Sequence, residues 1–281
     1  YAAYMAQQML LDEDVLVPIV TTLHGTDITL VGSHPFYKPA VTFSINKSDA
    51  VTSVSESLRA DTMRLFNIER PIHVVPNFID MEKHVNSFTD CQRAMMAEDH
   101  ERIITHISNF REVKRIPDVI KVFNEVQKQL PAKLMMVGEG PEKEAAELLV
   151  DDLGLTDRVV FLGNSTEIDR ILCFSDLFLL PSETESFGLA ALEAMASSTP
   201  VISSNTGGLP EVNLEGYSGF LSNVGDIEDM SANAIKILKD LKTLETFKAN
   251  AKAQSAKFDI HAIVPKYEAI YEETLKSFFV V

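Results

Sequence analysis

Five short apolar runs, "RIITHIS", "KLMMVG", "RVVFLG", "LFLL" and "PVISS", recur between residues 102 and 204, and a helix-length segment or a loop and short helix separates each from the next. Each run is too short for a buried helix and has the β-branched and long aliphatic content of a strand with both faces covered. Strands alternating with helices give βαβ units and a parallel sheet. Between the first two runs, Ile116, Val119, Ile120, Phe123, Val126 and Leu130 fall at helical spacing behind Pro117, a residue suited to a first helical turn. Helices are also expected at 142–153, 167–173 and 188–196, and in several pieces over 226–278.

The same alternation, less complete, occupies the front of the chain. A helix over 1–11 leads to the strand "VPIVTTL" and the loop "HGTD". A helix near 36–48 precedes the strand "AVTSV", Ser55 is placed to cap a helix over 56–66, and "IHVVPN" is a strand that ends at Pro76. Residues 77–90 are polar and aperiodic, the signature of a linker. The sequence thus predicts two α/β units: the back half of one, then a complete one of five or six strands.

Composition narrows the partners. The 281 residues carry 25 Lys and Arg against 41 Asp and Glu, a net charge of −16. That balance disfavours nucleic acid and anionic membrane surfaces as main partners. There is no apolar run long enough to span a bilayer, so no stable membrane association is expected. Cys91 and Cys173 match no metal spacing and are expected to be free thiols in a reducing cytoplasm. "YAAYMAQQMLL" starts in mid-architecture, so the chain is expected to be the later part of a longer protein.

In open parallel sheets, ligands bind at the carboxyl ends of the strands. Here those ends are "TTLHGTD", "SNFREVK", "VGEGPE", "FLGNST", "PSETESFG" and "SNTGG". Five belong to the second unit and are rich in Gly and small polar residues, which let backbone amides approach an anion. None is a Walker loop or a complete dinucleotide fingerprint. Glu185 precedes the helix at 188–196 and Glu193 lies within it. Two carboxylates so spaced can read different parts of one long ligand, beside the backbone amides of Phe187, Gly188 and Leu189. They are equally what a helix cap and a solvated helix residue would look like.

"PSETESFGLAALEAMASSTPVISSNTGGLPEV", with "VGEGPE" and "FLGN" before it in order, resembles the E-x7-E region of the retaining family-4 glycosyltransferases. "TTLHGTDITLVG", "KSDAVTSVSESLR", "VVPNFID" and "SNFREVKR" resemble, within them, the branch that moves N-acetylglucosamine from UDP-N-acetylglucosamine to L-malate in bacillithiol biosynthesis. The resemblance covers essentially the whole chain. It implies an α/β protein of the GT-B fold, two Rossmann-like domains facing a cleft, with the first domain incomplete at its N-terminus. The acceptor-side domain would hold residues 1–85, with the C-terminal helix in 262–281 packing back on it, and 86–261 would be the sugar-nucleotide domain.

It also implies a cytoplasmic enzyme that needs no metal or other cofactor, and leaves a homo-oligomer open. Lys114 would stabilise the leaving diphosphate and Asn109 would donate a hydrogen bond near the reacting centre. Glu185 would meet the sugar hydroxyls and His24 the sugar from across the cleft. Asn164, Phe187, Gly188, Leu189 and Glu193 would hold the donor, Glu193 through the ribose. Thr22 would contact malate. The remaining histidines, His106 among them, carry no motif and read as structural. Two departures stand out: most relatives carry Arg where this chain has Asn109, and the glycine-rich loop of the first domain is absent, so this chain by itself is open to being inactive. A different acceptor, lipid or glycan, and a non-catalytic sugar-nucleotide-binding module are the alternatives.

Overall fold

A computed structural model describes residues 1–29, 32, 34–82 and 93–279. The chain divides into two compact units, Tyr1–Phe78 with Ile260–Val281, and Ile79–Asp259. The sequence reading put these borders near 85 and 262; Cys91 and most of the expected linker lie outside the described residues.

The first unit is a three-stranded parallel sheet, β1 (Val20–Leu23), β2 (Ala50–Ser53) and β3 (Ile72–Val74), in the order β1-β2-β3. Leu23, Ile28, Ile45, Val51, Val54, Leu58, Phe66, Ile72 and Val75 are buried. Ser55 caps helix Glu56–Leu65 by accepting the Leu58 amide at 3.0 Å. The helix Ile260–Phe279 returns to this unit, where the Tyr267 hydroxyl donates to the Val75 carbonyl at 3.3 Å. Thr22 stands inside β1, whose ladder to β2 runs on through Leu23↔Ser53.

The second unit is a six-stranded, all-parallel sheet. Its strands are β4 (Arg102–Ile107), β5 (Ala132–Val137), β6 (Val159–Gly163), β7 (Leu177–Leu180), β8 (Val201–Ser204) and β9 (Gly219–Ser222). β9 is the strand the sequence hides: "GFLS" carries two small residues and only two large apolar ones. Helix Ile116–Gln127 packs on the sheet with Ile116, Val119, Ile120, Phe123 and Val126 all fully buried. Each such side chain contributes roughly 1.5–3 kcal/mol of transfer free energy. Asp176, at the amino end of β7, is buried and accepts the Ile103 amide at 3.0 Å while pairing with Arg93 at 2.8 Å and Lys248 at 3.0 Å.

Cys173 is disulfide-bonded, so the free-thiol expectation does not hold for it. Among the described residues no helix is long and apolar enough to cross a membrane.

The sheet order is β6-β5-β4-β7-β8-β9. From β4 the chain builds outward through β5 and β6, then returns to β7 on the other side of β4. The two strands at the centre therefore send their following loops to opposite sides, and a crevice must open between their carboxyl ends.

Two glycines, one beside that crevice and one at the opposite end of the sheet before β6, offer a contrast. Gly138 ends β5 at φ +125°, and a Cβ there would lie 1.8 Å from the Ser108 carbonyl oxygen; Gly154 has φ +67° but open space around it. Gly154→Ala should cost about 1 kcal/mol from the left-handed backbone alone. Gly138→Ala should cost roughly 3 kcal/mol or more, because backbone must move. Urea unfolding of the two variants checks the difference.

Candidate active site

Two loops meet over the crevice. The one after β4, residues 108–115, ends in a 3₁₀ turn, Glu112–Lys114, before helix Ile116–Gln127. The other, 181–188, follows β7 and leads into helix Leu189–Ala196. They are tied by the Glu183 amide, which donates to the Val113 carbonyl at 2.8 Å, and by a Lys114–Glu185 ion pair. The Glu185 oxygen that faces Lys114 also accepts from Ser182 Oγ at 3.1 Å. Both charged side chains keep a little exposure, 20% for Lys114 and 15% for Glu185. The pair is sheltered enough for its charges to matter and open enough for a ligand to reach.

Glu185 does not cap the helix, whose N-cap is Gly188 in a left-handed conformation with no side-chain cap. The first-turn amides are therefore left uncapped by any side chain, a suitable place for ligand oxygens. Phe187 is buried against Phe258, ring centroids 5.7 Å apart, so its side chain is core and only its backbone can serve a ligand. Leu189 is exposed.

Glu193 lies in the second half of the same helix and is half-buried. No hydrogen bond reaches its carboxylate among the described residues. Burial, helped by the negative charge of Asp169, raises its pKa above the ordinary 4.5. Glu193 is thus not fully solvated. A carboxylate that has lost water without gaining donors is an acceptor held ready for hydroxyls.

Asn109 is exposed, directly after Ser108, and its side chain makes no hydrogen bond among the described residues. Asn164 is exposed and lines a pocket of about 320 Å³ with Met95, Met96, Leu162 and Arg170 among others. In the first unit, Thr22 Oγ accepts from Thr52 Oγ at 2.8 Å, which leaves its own O–H to donate, and His24 is exposed just past β1.

The glycines also serve packing. A Cβ on Gly140 would lie 2.1 Å from the Asn109 carbonyl oxygen, one on Gly207 1.8 Å from that of Glu185, and one on Gly208 2.4 Å from that of Ser186. With Gly138 they let neighbouring backbone press on the two loops. Ser182 and Ser108 are the residues the sequence reading missed. Their only signal is position, at the end of a strand beside a candidate residue. Among the described residues no cluster of three or more His, Cys, Asp or Glu is arranged to hold a metal ion.

Comparison with known proteins points to glycosyltransferases. Residues 91–254 match Glycosyl transferases group 1 and residues 9–83 match Glycosyltransferase Family 4. The chain is 41% identical over 277 residues to N-acetyl-alpha-D-glucosaminyl L-malate synthase of Bacillus anthracis, covering 98% of this chain and 72% of that one. It is 31% identical to a D-inositol 3-phosphate glycosyltransferase of Mycobacterium marinum over 80% of this chain and 46% of that one. Among solved structures, Anabaena HepE in complex with UDP and glucose superposes with a TM-score of 0.82 at 20% identity, over 95% of this chain and 74% of that one. The pneumococcal O-GlcNAc transferase GtfA with UDP and GlcNAc gives 0.76 at 20%, over 95% and 55%. At these identities the structural likeness is one of fold.

The environment of Glu193 has a measurable consequence. With its pKa raised in the folded state, the native protein binds this proton more tightly than the unfolded chain does. Stability then falls as pH rises from the unfolded value through the folded one. Glu193→Gln removes that cost. It should unfold at a higher temperature than the parent near pH 7, with the gap closing below pH 4.5. Thermal melts across that range check this.

Proposed function

Because the chain belongs to the family-4 GT-B glycosyltransferases, we propose that it transfers N-acetylglucosamine from UDP-N-acetylglucosamine to L-malate with retention of configuration, a step of bacillithiol biosynthesis. The observation that carries the substrate assignment is the 41% identity to the malate synthase along 98% of the chain. The geometry is compatible with it: the Lys114–Glu185 pair beside the crevice, uncapped amides at the helix start, and Glu193 in a different, more desolvated environment on that helix.

The chemistry asks little covalent work of the protein. The anomeric carbon loses its bond to the phosphate oxygen, whose electron pair leaves with UDP. The malate hydroxyl oxygen attacks that carbon from the same face, and its proton passes to the departing phosphate oxygen. The protein supplies charge and geometry. Lys114 neutralises the diphosphate, together with the Gly188 and Leu189 amides. Asn109 donates beside the reacting centre. Glu185, held by Lys114 and Ser182, accepts from the sugar hydroxyls. The rival route uses Glu185 as a covalent nucleophile, as retaining glycosidases do. A carboxylate already tied to a lysine and a serine is a poor nucleophile and a good acceptor, which favours the first route.

Glu193 takes the ribose hydroxyls, Asn164 the uracil side, His24 the sugar and Thr22 a malate carboxylate. No metal is assigned a role, since Lys114 and the amides can offset the diphosphate charge; chelation should leave turnover largely intact. A lipid acceptor would call for a basic amphipathic surface, and the first unit's sequence offers none.

Incubation with UDP-N-acetylglucosamine and a panel of small hydroxy acids, read by mass, tests the substrate class: L-malate should be the acceptor consumed. The site assignments predict a split. Glu193→Ala should weaken both UDP and the donor about ten- to a hundredfold, the worth of a charge-assisted hydrogen bond. Glu185→Ala should spare UDP and lower turnover. Thr22→Val should raise the Michaelis constant for malate by about the same factor with the donor constant almost unchanged. Calorimetry with UDP and steady-state kinetics separate these outcomes, and equal effects of the two glutamate variants on UDP would remove the split.

A further inference from the structure

His106 is fully buried near the end of β4 and belongs to no motif. Its surroundings give it a definite task. The β4–β7 ladder consists of Ile104↔Leu177 and Thr105↔Phe178 and goes no further, while β4 remains paired with β5 through Ile107↔Val137. β4 and β7 therefore part at residue 106, at the mouth of the crevice. There His106 Nδ1 lies 2.8 Å from the Leu179 carbonyl oxygen, and Nε2 lies 2.8 Å from Ser108 Oγ.

A carbonyl can only accept, so Nδ1 carries the hydrogen. Burial pushes the pKa of the ring down to about 4, so near neutral pH the imidazole is neutral and Nε2 is a pure acceptor. Ser108 must then donate its hydroxyl hydrogen to Nε2, and its oxygen is left to accept the Phe110 amide at 3.3 Å. The hydrogen bonds run one way, from the loop into the core.

Their end point is under strain. Phe110 has φ +32° and Arg115 φ +52°, both rare for residues with side chains. They bracket the stretch that carries Lys114, and Asn109 sits between Ser108 and Phe110. Such backbone persists only where its surroundings over-determine it. Here the surroundings include the buried Phe110 ring, the bond from the Glu142 amide to the Phe110 carbonyl at 2.9 Å, and the Ser108 hydroxyl. An aliphatic residue at 106 would fit among Phe110 and Phe178, whose ring centroids lie 6.1 and 6.5 Å from that of the imidazole. It could make neither hydrogen bond.

We propose that His106 is a positioning residue: it clamps β4 to β7 where their ladder ends and, through Ser108, fixes the loop that presents Asn109 and Lys114. This rests on reading that loop as the one facing the diphosphate and the reacting carbon.

Three variants test it. Ser108→Ala removes the hydroxyl, Ser108→Thr retains it, and His106→Asn keeps a donor toward Leu179 while withdrawing the acceptor from Ser108. Amide hydrogen exchange over residues 109–115 should be about tenfold faster in Ser108→Ala and His106→Asn, with exchange in β5 and β8 unchanged. Turnover with UDP-N-acetylglucosamine and malate should fall about ten- to a hundredfold, the scale of a misplaced catalytic group, while the donor Michaelis constant stays within about threefold. Ser108→Thr should restore both readouts. Unchanged exchange in the loop overturns the proposal. So does faster exchange spread evenly over the unit with the turnover of folded protein intact, which would mark His106 as a packing residue only. If the parent protein does not glycosylate malate, the substrate assignment fails, and the exchange measurement still decides whether His106 holds the loop.

Discussion

The Lys114–Glu185 ion pair is the interaction on which the rest of the site depends. It joins the loops after β4 and β7, the two strands between which the sheet reverses direction. Neither charge could be left there alone at low cost, since a partly desolvated ion without a partner is destabilising by several kcal/mol. Each holds the other until a ligand brings compensating groups. In the proposed function a diphosphate would offer Lys114 a stronger partner, and sugar hydroxyls would offer Glu185 donors to replace what it loses. In the proposed reaction this partly sheltered pair would supply the electrostatics that the transfer step needs.

What holds the pair in register is mostly backbone. Gly138 and Gly140 allow close approach to residues 108–110, and Gly207 and Gly208 do the same for 185–186. Packing at these distances leaves no room for even a methyl group, so the loops cannot drift without moving the sheet. His106 and Ser108 add directed hydrogen bonds to this steric constraint at the point where β4 and β7 separate. Glu193 lies outside this arrangement. Its carboxylate accepts no hydrogen bond among the described residues, and burial holds its pKa above the ordinary value.

The second unit was largely legible in the sequence, because its signals are local. The spacing of Ile116 to Val126 marks one buried face, and "LFLL" has no polar residue to confuse a strand with anything else. β9 was not legible, since "GFLS" gains its strand character from pairing with β8 through Val201↔Gly219 and its neighbours. The E-x7-E spacing exposed both glutamates, yet spacing could not distinguish a paired Glu185 from a helix cap, or a desolvated Glu193 from a solvated one. Those distinctions arise from tertiary packing: Lys114 pairs with Glu185, and burial, then the charge of Asp169, sets the environment of Glu193. His106 and Ser108 were invisible for the same reason: their meaning depends on Leu179, a residue of another strand. The state of Cys173 likewise could not be read from cysteine spacing.

The account's central claim is transfer to malate by same-face attack at this crevice. Its most direct test is proton NMR of the reaction between UDP-N-acetylglucosamine and L-malate, followed from the first turnovers. The account predicts an α-linked N-acetylglucosaminyl malate as the first product, formed in step with free UDP. A β-linked first product, or a donor that is consumed only with some other acceptor, would contradict it.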